Sequence, residues 1–216
     1  MKTEERYIRK EFKRHDKLFK QHLENVSRIQ NYQSVWSDSY LDFAPFETEI
    51  SQSQKPKFFK NKPKEPIGKI ENRFKDGKLF YAHKFKEENW GTVFYLNEEE
   101  NKIRLMYVYD DEKEKMALQQ IEILILSENS NVEKGLFYMR DDEDDEETFF
   151  FDKYLYDANE QQLISIERNG YYEEKDNILP TMNFRFEYDN ENIKIYAKQR
   201  KLNGKNQEEQ IYPKTR

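Results

Sequence analysis

From Ile8 to Ile29 the apolar-leaning positions Ile8, Phe12, His15, Phe19, His22, Val26 and Ile29 step alternately by four and three residues. That spacing lays side chains along one stripe of an α-helix. It predicts a single helix from Thr3 to Tyr32, with Glu4 and Glu5 at its electropositive end and Leu18 and Leu23 widening the stripe. A stripe of this width suits packing on a sheet better than the narrow seam of a coiled coil. Residues 34–66 keep no period, yet they hold Trp36, Tyr40, Leu41, Phe43, Phe46, Phe58 and Phe59, together with Pro45, Pro56, Pro63 and Pro66. So many large apolar groups predict an ordered, irregular strap pinned by aromatics, with a helical turn near Ser37–Phe43.

At Ile67 the period changes to two. Strands are expected at Ile67–Phe74, Lys78–Lys86, Trp90–Leu96, Ile103–Tyr109, Lys115–Leu126, Glu133–Met139, Thr148–Tyr156, Leu163–Arg168, Tyr171–Glu174, Thr181–Tyr188, Ile193–Arg200 and Gln210–Tyr212. Turn-forming residues separate them, including Asp76-Gly77, Asn169-Gly170 and Asn203-Gly204. No helix-length crossover intervenes, so the strands form an antiparallel meander rather than a parallel α/β sheet. The fold class is therefore mainly β (α+β), one domain over residues 1–216. An N-terminal helix (1–33) and a strap (34–66) pack on a strongly curved meander (67–216) of 10–12 strands, a barrel or half-barrel, with a sandwich as the alternative.

Composition sharpens this picture in two ways. Charged residues make up 37% of the chain, a level that leans toward disorder, but 16 Phe, 15 Tyr and 2 Trp supply a core of few, large side chains. The net charge of −6 is also unevenly spread: residues 1–33 carry +4, residues 34–66 are neutral, and residues 67–216 carry −10. An acidic body argues against nucleic acid as a ligand, because phosphate recognition needs a basic groove. Cysteine is absent, which removes disulfides, thiol nucleophiles and thiolate metal sites. The first 25 residues show no apolar signal core, and the longest apolar run, Ile121–Leu126, is strand-sized. The expectation is a cytoplasmic protein with no integral membrane segment.

The segment YLYDANEQQLISIERNG, residues 154–170, resembles the tyrosine–aspartate repeats of bacterial Rhs shell proteins, whose hairpins stack into a large cocoon. The related turns at Asp110, Asp157 and Asp189 are 47 and 32 residues apart and lack the repeat's glycine, so they read as separate hairpins. The most distinctive charge feature is the run Asp141, Asp142, Glu143, Asp144, Asp145, Glu146 and Glu147 between two strands. Its density predicts a solvated loop or a docking surface for a cationic protein. It lacks the glycine and spacing of a calcium loop, and no metal or cofactor is expected. The only histidines are His15, His22 and His83; the first two stand seven residues apart, two helical turns, too far to share a metal on a continuous helix. No nucleophile elbow, zinc-protease helix, phosphate loop or dinucleotide fingerprint is present.

These features point to a non-enzymatic protein-binding module with no catalytic residues. The expected type is a bacterial immunity protein that neutralises a cationic toxin domain through Asp141–Glu147. Two other classes fit the pattern: a lipocalin-like barrel around a small apolar ligand, and a glycan hydrolase built on a carboxylate pair.

Overall fold

The computed structural model describes residues 2–85, 91–98, 100–111, 113–141, 146–159, 161–174, 177–189, 192–200 and 206–213. The N-terminal segment is two helices, not one: α1 (Lys2–His15) and α2 (Phe19–Ser27). No glycine or proline causes the break; the sheet does. Tyr107 donates its hydroxyl to the His15 carbonyl at 2.6 Å, and Asp16 accepts the Leu118 amide at 3.2 Å. That amide lies where the β6–β7 ladder slips out of register between Met106 and Tyr107, and Asp16 satisfies it. Tertiary hydrogen bonds thus override the local helical pattern.

The strap yields β1 (Gln33–Ser37), the short helix α3 (Glu47–Ile50), downstream of the expected turn at Ser37–Phe43, and the two-residue β2 (Phe58–Phe59). The meander follows as β3 (Ile70–Lys75), β4 (Lys78–Lys84), β5 (Thr92–Asn97), β6 (Asn101–Asp110), β7 (Lys115–Leu126), β8 (Val132–Asp141) and β9 (Glu146–Tyr156). It continues as β10 (Leu163–Glu174), β11 (Asn177–Pro180), β12 (Asn183–Asp189), β13 (Asn192–Arg200) and β14 (Asn206–Tyr212). All pairings are antiparallel, and the sheet runs β14-β13-β12-β10-β9-β8-β7-β6-β5-β4-β3-β1-β2, with β11 beside the end of β10. The expected meander is therefore present. Its two ends, β14 and β2, do not pair with each other, so the sheet is open. Of the expected barrel or half-barrel, the closed barrel is not what these strands form.

The turn expected at Asn169-Gly170 is also absent, for β10 runs straight through it. Gly170 sits at φ +147°, and a Cβ there would stand 2.1 Å from the Phe149 carbonyl oxygen, so glycine serves a close backbone approach rather than a reversal.

Alternation gives the sheet two apolar faces with different covers. On one, Phe94, Leu105, Tyr107, Ile121, Ile123, Leu136, Tyr138 and Phe149 receive Ile8, Phe12 and Phe19 from the helices. On the other, Ile70, Val93 and Tyr95 meet Tyr40 and Phe43, while Leu124, Tyr154, Ile166, Phe184, Phe186 and Ile195 meet Phe43, Phe46 and Ile50. Helices and strap therefore clasp the sheet from opposite sides, each buried aromatic contributing about 1.5–3 kcal/mol. Among the described residues no helix is long and apolar enough to cross a membrane.

Candidate functional site

The acidic run falls at the reversal between β8 and β9. Asp141 pairs with Glu146 and Arg140 with Glu147, so both ends of the run belong to the ladder. Asp142, Glu143, Asp144 and Asp145 lie outside the described residues. Glu147 is committed within the chain. Arg9 of α1 grips it in a fork, Nη1 to Oε1 at 2.8 Å and Nη2 to Oε2 at 2.6 Å, and Tyr138 donates to Oε1 at 2.6 Å. Arg9 also reaches Glu5 and the Tyr171 hydroxyl, and its guanidinium lies over the Tyr138 ring. Hydrogen bonding from Arg9 holds the Glu147 carboxyl below its ordinary range. The basic helix is thus anchored to one shoulder of the acidic hairpin.

Charged side chains also stand on the strap-covered face, at positions the alternation assigns to the core. Arg104 of β6, only 6% exposed, donates to Glu122 of β7 at 2.6 Å and to both oxygens of Glu47 at 3.0 and 2.6 Å. Glu47 in turn accepts the Phe43 amide at 2.7 Å, which ties the strap's bend to the sheet. Two strands further on, Arg168 forks onto Asp152 at 2.8 and 2.7 Å. Burial pushes the Glu122 carboxyl up to about 7 against the pull of Arg104. Beside this network opens a cavity of about 470 Å³ lined by Asp38, Tyr40, Asp42, Glu47, Ser51 and Arg104. The Asp42 carboxyl is raised by burial and accepts the Thr48 hydroxyl. With both Glu47 oxygens taken by Arg104, its carboxylate serves as a structural clamp between strap and sheet.

The helix break brings His15 and His22 together, His15 Nδ1 to His22 Nε2 at 3.0 Å with stacked rings. Seven residues of unbroken helix would have set them about 10 Å apart along the axis. Arg14 approaches His15 Nε2 at 2.9 Å and can only donate, so His15 carries its proton on Nδ1 and gives it to His22. Burial lowers His15 to about 4 and His22 in the same direction, which favours the neutral form of each imidazole. His83 lies apart from them, against Thr92 at 3.1 Å.

Sequence reading located the acidic hairpin but missed the buried ions. Their signal was present: Arg104 stands between Ile103 and Leu105, and Glu122 between Ile121 and Ile123. A charge flanked by aliphatics within a strand points across the sheet from them, and there it needs a partner. No protein-family model, curated protein or solved structure matches the chain.

Proposed function

We propose that this chain is a non-enzymatic protein-binding module that neutralises a cationic, toxin-like domain, as a bacterial immunity protein does, by presenting the β8–β9 hairpin to it. The observation that supports this reading is the position of the acidic run: seven carboxylates in sequence span the reversal of two long central strands. Two long strands in the middle of a wide sheet supply a rigid mount, and charge concentrated in the sequence that joins them steers a cationic surface into encounter. Glu147 serves the mount, held by Arg9 and Tyr138. The rest of the run supplies the charge.

The test is co-purification from the native host at low ionic strength, followed by association kinetics. The triple variant Asp142→Asn, Asp144→Asn, Asp145→Asn is expected to slow association about tenfold or more and to flatten its salt dependence, with dissociation little changed. Glu147 stays intact in that variant because it pins α1. Recovery of no partner, or an unchanged association rate at low salt, would sink the mechanism.

A further inference from the structure

Residues 57–69 run along the β2 edge of the sheet and carry two unlike signals at once. Lys57, Lys60, Lys62, Lys64 and Lys69 stand there against Glu65 alone. The same stretch holds the two most exposed large apolar side chains among the described residues, Ile67 at 71% and Phe58 at 61%. Strand register brings these two to one end of the sheet: Phe58 pairs with Ser37 of β1, and Ser37 with Ile70 of β3. Neighbouring strands lie about 4.8 Å apart, so β2 and β3, with β1 between them, begin about 10 Å from each other. Ile67 comes just before β3, in a turn closed by the Lys69 amide on the Pro66 carbonyl at 2.8 Å.

Protection of the edge explains only part of this composition. Lysine and proline keep an edge from pairing with another chain, but an exposed phenylalanine and isoleucine work against that purpose. The carboxylates beside the patch are engaged: Asp38 accepts the Lys57 amide at 2.8 Å, and Glu71 accepts Arg73 and Ser34. The side chains also discriminate between anionic occupants. A single-stranded nucleic acid stacks its bases on aromatic faces, and here the rings are already covered. Lys69 lies 5.2 Å over Phe59, Lys62 lies 5.7 Å over Trp36, and Trp36 stacks on Phe85 at 5.4 Å. A folded protein partner favours arginine, whose planar fork fixes an ion pair, and protein interfaces are depleted in lysine. Every basic residue in 57–69 is lysine. A lipid surface asks for that choice, since long flexible stems keep the ammonium among the headgroups while apolar side chains sink below them.

We propose that this edge docks on an anionic lipid surface, with Phe58 and Ile67 entering the headgroup layer and the lysines lying among acidic headgroups. The proposal does not depend on the protein-binding reading above, whose charge has the opposite sign. Apolar insertion and lysine attraction act together, because interfacial binding grows with both buried apolar area and charge. Each lysine near such a surface contributes about fivefold in partitioning at low salt.

The experiment sediments the full chain with vesicles of phosphatidylcholine, alone or with phosphatidylserine added. At low salt the chain should bind the anionic vesicles about tenfold or more tighter than the neutral ones, and lose that preference at high salt. Lys57→Gln, Lys60→Gln and Lys64→Gln together leave Lys62 on Trp36 and Lys69 on Phe59, and should weaken binding about a hundredfold. Phe58→Ser with Ile67→Ser should weaken it about tenfold. All five of these side chains are exposed, so both variants keep the fold, which circular dichroism checks. In Phe58→Trp, brominated acyl chains should quench the added fluorescence and so register insertion directly. Equal binding to neutral and anionic vesicles, or none to either at low salt, overturns the proposal. So does binding that Phe58→Ser with Ile67→Ser leaves unchanged. Tighter binding to a single-stranded oligothymidylate than to anionic vesicles assigns the edge to nucleic acid and overturns the lipid. Self-association in place of vesicle binding, abolished by the lysine variant, assigns the edge to a second copy and overturns it as well.

Discussion

Single residues in this sheet take roles opposite to those their chemistry suggests. Arg104, Glu122, Asp152 and Arg168 are ionic yet at most 13% exposed at their side chains, and each is tolerated because a partner shares its burial. Removing one member should therefore cost more than removing a pair. Arg104→Met is expected to destabilise by about 3–5 kcal/mol, while Arg104→Met with Glu122→Leu recovers most of the loss. The single variant carries a pH signature too. Without its guanidinium, Glu122 titrates in the fold even further above its unfolded value of 4.5, so the stability linked to its protonated form is complete near pH 4.5 and is lost as pH rises through neutrality. Denaturant unfolding at about pH 5 and pH 8 should show the larger deficit at the higher pH. An equal deficit would mean that Glu122 is not the group left stranded. Gly170 follows the same pattern of a role hidden from the sequence: Asn169-Gly170 spells a turn, but the Phe149 carbonyl lies so near that only glycine fits in an uninterrupted strand.

Among the elements, period two was a dependable guide, and Lys115–Leu126 has the same bounds in sequence and structure. The helix pattern was less so, because the information that divides α1 from α2 resides in Tyr107 and Leu118, about a hundred residues away. The acidic hairpin was legible since its charges are contiguous, whereas Phe58 and Ile67 come to one end of the sheet only through strand register. The same helix break creates a linkage between acid and stability. His15 and His22 face each other with Glu11, Arg14 and Asp16 alongside from the helix and its turn, and Tyr107 from the sheet. His15 titrates at about 4 in the fold and near 6.5 unfolded, so its contribution is complete above about pH 6.5 and is lost as pH falls toward 4. That loss is on the order of 3 kcal/mol, and Glu122 opposes it over part of the same range. Replacing both imidazoles, His15→Leu with His22→Phe, should remove the acid-side slope and leave the slope from Glu122. A double variant that loses stability below pH 6 as steeply as the parent would assign the effect elsewhere.

For the whole molecule, an open sheet has two edges, and here they differ in charge. At one end β2 is only Phe58–Phe59, set between Lys55, Pro56, Lys57, Lys60, Lys62, Pro63 and Lys64. At the other, β14 exposes Glu208 and Glu209, with Arg185 forked onto Glu208 at 3.1 and 3.0 Å. A basic edge and an acidic edge on one rigid sheet attract each other between copies, and a heterologous contact of this kind propagates into open chains unless it closes. Phe58, 61% exposed, and Ile67, 71% exposed, add apolar surface near the basic edge. The brake is chemical: a two-residue strand offers almost no ladder, proline withholds amide donors, and clustered lysines repel another lysine-rich edge and stay hydrated. Releasing it should therefore convert attraction into assembly. Pro56→Val, Pro63→Val and Lys60→Thr together lengthen the stretch able to pair while leaving Lys55, Lys57, Lys62 and Lys64 to meet β14. Sedimentation at rising protein concentration should then show growing, open-ended species that dissolve at high salt, with the parent chain associating less under every condition. Association that salt does not weaken would place the attraction in the exposed Phe58 and Ile67 instead of the charges, and no association at all would show that proline and lysine are not what keeps this edge apart.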